Sequence, residues 1–68
     1  MIVTDLETFF ASRNLPKQIQ LNKGEKITDI KTFVQSHLHI AKHSPERVAA
    51  PFYDRLVKLR GLLEAEQN

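Results

Sequence analysis

Between Asp29 and the Ser44-Pro45 pair, apolar side chains recur with a single period. Ile30, Phe33, Val34, His37, Leu38 and Ala41 fall at i, i+3, i+4, i+7, i+8 and i+11. That spacing lays them along one side of a helix, with Ile40 at the edge of the arc. Thr32, Ser36, His39 and His43 fill the opposite side. Thr28 and Asp29 can each cap such a helix, and the Ser-Pro pair stops it, so the pattern predicts a helix over about 29–43. A helix with one apolar face must bury it, so the rest of the chain has to supply matching apolar elements.

Two such elements can be read. Near the start, Leu6, Phe9 and Phe10 share a face, and Thr4-Asp5-Leu6-Glu7 has the form of a capping box. Arg13 ends that stripe, and Leu15-Pro16 closes a helix predicted over about 5–14, because the residue before proline is pushed out of the α region. Near the end, Phe52, Leu56, Leu59 and Leu63 form a core stripe bordered by Leu62. Tyr53 and Val57 lie beside it, with Arg60 between the two rows. Ser44 as N-cap, Pro45 at the first helical position and Glu46 in the first turn predict a helix over about 45–65. Pro51 removes a backbone donor six residues after Pro45, so that helix is expected to be kinked or broken there.

Residues 15–28 are the irregular part. Ile19 and Leu21 alternate with Gln18, Gln20 and Asn22, and Asn22-Lys23-Gly24-Glu25 is a turn. A hairpin of 18–21 against 25–28 is one solution. An isolated hairpin is marginal in water, which favours an extended loop pinned by Leu15, Ile19, Leu21 and Ile27. The expected fold class is therefore all-α: a three-helix bundle, one domain over 1–68, with a long irregular connection between its first two helices.

Length and composition limit function. The chain has 68 residues, 10 basic and 8 acidic groups, and no Cys or Trp. Without cysteine there is no disulfide staple and no thiolate metal site, a usage that a cytoplasmic chain permits. No apolar run is long enough to cross a membrane, and Met1-Ile2-Val3-Thr4-Asp5 does not have the form of a signal peptide. A cytoplasmic protein with no membrane role is expected.

At Leu15-Pro16, Gln20-Leu21-Asn22, Ile27-Thr28-Asp29, Phe33-Val34, Ser36-His37-Leu38 and Pro51-Phe52-Tyr53-Asp54-Arg55-Leu56, the chain resembles a family of small domains from anaerobic gut bacteria. The resemblance covers nearly the whole sequence. It implies a helical fold and a bacterial intracellular setting. The family has no established function, so no site residue is carried across.

Candidate sites come from the residues themselves. His37 lies in the middle of an apolar face, where an imidazole is costly unless partnered. It is expected to be a buried structural histidine bonded to a backbone carbonyl of the 15–28 loop. His39 and His43 share a face but lack a third ligand, so no metal site is expected. Lys17, Lys23, Lys26, Lys31 and Arg47 make a mildly basic middle, a candidate nucleic-acid surface without an aromatic row for base stacking. A helix-turn-helix reading fails on Glu46-Arg47-Val48-Ala49-Ala50, which offers few base-reading side chains. The Tyr53, Val57 and Arg60 row is the candidate protein interface, for an unknown partner or for self-association. Ser36 and His37 are adjacent and cannot pair as nucleophile and base, and the two glycines make no phosphate loop. Three short helices are also poorly suited to enclosing a pocket. The expectation is a non-enzymatic protein-interaction module without cofactor, with nucleic-acid binding as the alternative.

Overall fold

The computed structural model describes residues 3–67; Met1, Ile2 and Asn68 lie outside it. The order of elements is α1 (Thr4–Ala11), β1 (Ile19–Asn22), β2 (Glu25–Ile27), α2 (Ile30–His43) and α3 (Glu46–Gln67). Three helices thus pack with a two-stranded antiparallel sheet, and the all-α expectation is corrected.

The reason lies in how the hairpin is supported. Ile19 pairs with Ile27, Gln20 with Lys26 and Asn22 with Glu25, and the register shifts between Gln20 and Asn22. Ile19, Leu21 and Ile27 all face inward and are buried in the main core. An unsupported hairpin is marginal, but this one buries a whole apolar face on the helices. Gly24 closes the turn with φ +81°, a backbone state that costs other residues strain.

Helix α1 stops at Ala11, three residues short of the expected end. Ser12 donates its amide to the Thr8 carbonyl and its hydroxyl to the Phe9 carbonyl, both at 3.0 Å. A serine hydroxyl competing for helix carbonyls is a termination device. The expected capping box does not form. Val3 holds the N-cap position without a side-chain cap, its carbonyl accepts from the Glu7 amide at 3.0 Å, and Thr4 is already helical. The Glu7 carboxylate instead pairs with Lys42 at 3.6 Å, tying α1 to α2.

Helix α2 starts where expected. Asp29 is its N-cap, accepting from the Thr32 amide at 3.2 Å and the Thr32 hydroxyl at 2.9 Å. Helix α3 begins with Pro45, not Ser44, at the capping position: the Pro45 carbonyl accepts from the Val48 and Ala49 amides. It then runs unbroken through Pro51 to Gln67. Pro51 is exposed and lies in the second turn, so it deletes one donor, and the Arg47 carbonyl that loses it belongs to an exposed residue within reach of water.

The main core joins Leu6 and Phe10 of α1, the hairpin residues, Ile30 and Val34 of α2, and Leu56, Leu59 and Leu63 of α3. Phe9, Phe33 and Leu38 pack around it half-buried. A second cluster of Val3, Ala41 and Ala49 closes the end where α2 turns into α3.

Candidate functional site

Because α1 ends early, residues 13–17 leave it as irregular chain and pass alongside α2. The Ile30 amide donates to the Lys17 carbonyl at 3.3 Å, pinning that segment to the start of α2. The space left between α1, this segment and α2 is an open groove of about 630 Å³. Phe10, Leu15, Ile30, Val34 and Leu38 make its floor. Its rim carries Glu7, Arg13, Lys17, Asp29, Lys31 and Gln35. The groove is open, not enclosed, and its volume is that of an ordinary binding site.

The electrostatics of the rim follow from its partners. Lys17 and Lys31 both flank Asp29. They and the bonds from Thr32, which are the larger cause, hold its carboxyl below the usual carboxylate range. Arg13 lies over the Phe9 ring, 4.2 Å from its centroid.

The other candidate residues are dispersed. Lys17 and Lys31 meet at the groove, Lys23 sits in the hairpin turn and Lys26 on β2. Arg47 opens α3, beyond the far end of α2, and a 14-residue helix is about 21 Å long. The five cations therefore do not share one face. Tyr53 is half-buried against both core clusters. Arg60 reaches over the Phe9 ring at 5.0 Å and pairs with Glu64 at 3.5 Å. Val57 is the exposed member of that row.

His37 is half-buried, and its Nδ1 lies 2.9 Å from the Phe33 carbonyl in its own helix, not from a carbonyl of the 15–28 loop. Its ring stacks on Phe33 at 3.8 Å and meets the edge of Phe52 at 5.3 Å. His39 and His43 stand with ring centroids 4.7 Å apart. Among the described residues no third His, Asp or Glu joins them to make a metal-binding group.

One polar cluster was not visible in the sequence. Arg55 and Lys58 of α3 bond to Glu25 and Asn22 at the hairpin turn, and the Asn22 amide donates to Glu25 at 2.8 Å. The Arg55 guanidinium also lies over the Phe33 ring at 5.3 Å. Nothing in the spacing of these residues announces a contact across 30 and 36 positions.

Among the described residues, no helix is long and apolar enough to cross a membrane. Fold and groove together describe a small helical domain carrying a ribbon and an open apolar cleft. Residues 1–65 match the family model of a domain of unknown function, DUF6965, and the chain belongs to that family. No curated protein and no solved structure matches the chain.

Proposed function

We propose that this domain is a non-enzymatic protein-interaction module that receives a segment of another protein in the groove between α1 and α2. The reading rests on one observation: an open groove of about 630 Å³ with a floor of five apolar side chains. Apolar surface gathered in one concave place is where a partner gains most from contact. The Tyr53, Val57 and Arg60 row offers less, since Tyr53 and Arg60 are engaged within the molecule. A bacterial cytoplasmic setting accords with the absence of cysteine and with the family resemblance.

The test is capture from a lysate of the source organism with the intact chain as bait. Ala11 is exposed and lines the groove, so Ala11→Trp obstructs it from a position outside the core. Captured proteins are expected to be lost with Ala11→Trp and retained with Val57→Asp. The reverse pattern moves the interface to α3. Oligonucleotide binding that persists at physiological salt and is insensitive to Ala11→Trp replaces this reading with the nucleic-acid one.

A further inference from the structure

We propose that His39 and His43 form a chelating site for one divalent transition-metal ion, of the zinc, nickel and copper class, on the outer face of α2. The site is separate from the groove and does not depend on what the groove receives.

The argument is geometric. His39 and His43 stand about one turn apart on α2, and both are exposed. On the opposite side of the helix Ile30, Val34 and Ala41 are buried, so packing holds the backbone that carries the pair. The two ring centroids are 4.7 Å apart and the ring planes are inclined at 42°. An imidazole nitrogen binds zinc at about 2.0–2.1 Å, so two rings meeting one ion at roughly 90–110° place their centroids about 4.5–5.2 Å apart. The observed spacing lies in that range, so a shared ion asks for rotation of the rings and not for a change of backbone.

The surroundings leave the pair available. Among the described residues no hydrogen bond or ion pair occupies either ring. Lys42, the cation between them in sequence, reaches instead to Glu7 of α1 at 3.6 Å. His37 differs on each point: it is half-buried, its Nδ1 lies at the Phe33 carbonyl, and its ring is stacked on Phe33. No third His, Asp or Glu joins the pair among the described residues, so a bound ion keeps positions open to water. Two imidazoles without a carboxylate favour ions that take nitrogen ligands over magnesium and calcium, which take oxygen.

The experiment titrates the intact chain with zinc chloride at about pH 7.5, since only the neutral ring ligates. Amide and imidazole signals are followed by two-dimensional NMR. The ring signals of His39 and His43 are expected to move together with one dissociation constant, while that of His37 stays in place. His39→Ala and His43→Ala change exposed positions and should leave the metal-free spectrum of the core intact. Each should weaken zinc binding about tenfold or more, because the second ligand of a chelate acts at high effective concentration. Copper should bind more tightly than nickel or zinc, and magnesium at about millimolar concentration should shift nothing. Ala11→Trp, which obstructs the groove, should leave zinc binding unchanged.

If each single variant keeps the wild-type affinity at its remaining ring, the histidines bind independently and the chelate is overturned. Shifts centred on other residues, or no saturation up to about millimolar zinc, would overturn it as well.

Discussion

The His37 imidazole shows how one residue can be both structural and conditional. The Phe33 carbonyl 2.9 Å from Nδ1 can only accept, so Nδ1 carries the proton of the neutral ring and Nε2 is left to titrate. Burial is the largest influence on that nitrogen and lowers its pKa below the ordinary 6.5. The Phe33 carbonyl and Glu25 oppose the shift, and Arg55 reinforces it. A lowered value in the folded state means that the unfolded chain binds the proton more readily. Stability is therefore full above about pH 6.5 and declines as pH falls through that value toward the folded-state pKa. Urea midpoints measured at pH 7 and pH 5 should show this decline, and His37→Gln should flatten it. An equal decline in the variant would assign the effect elsewhere. Glu25 and Asp29, both lowered, lose their stabilising charge only in more acidic solution, so their contribution falls outside this window.

At the scale of elements, Pro51 is the sharpest local conflict. It stands inside α3, exposed, with no amide to offer the Arg47 carbonyl. Helical propensity alone puts proline about 3 kcal/mol behind alanine, and a position in the second turn recovers part of that. Pro51→Ala should stabilise the domain by on the order of 1–3 kcal/mol, raising the melting temperature by several degrees. An unchanged or lower melting temperature would show that the proline is matched to its site. The elements differ in how far the sequence revealed them. Helix α2 was legible because its apolar period and its Asp29 cap are local. Helix α3 was legible in Leu56, Leu59 and Leu63, while Phe52 of the same stripe is half-buried outside the core, and the helix is not broken at Pro51, because core contacts on both sides of the proline outweigh one lost bond. The hairpin is only one of two readings its own sequence allows, because Ile19, Leu21 and Ile27 gain their stability from helices elsewhere in the chain. The early end of α1 turned on a hydroxyl, that of Ser12, choosing a backbone partner. The groove was illegible for the same reason, since it exists only because α1 stops where it does.

For the whole molecule, the bonds from Arg55 and Lys58 to the hairpin turn span 30 and 36 positions, about half the chain. Helices α2 and α3, joined through Ser44-Pro45, can meet with little loss of chain freedom, whereas the turn must find a helix formed much later in the sequence. We expect the two long helices to associate before the rate-limiting barrier and the hairpin to be fastened after it. Arg55→Ala should then accelerate unfolding in stopped-flow denaturant jumps and leave the folding rate nearly unchanged. A slower folding limb would place the hairpin in the nucleus instead. The fastening also determines how the domain comes apart. When it lets go, the ribbon and the chain leading into it can lift from the helical pair first, and because the Lys17 carbonyl that holds the Ile30 amide of α2 lies on that lifting stretch, the wall of the groove is released with it. A guest seated in the groove would act as a latch on the least durable edge of its host.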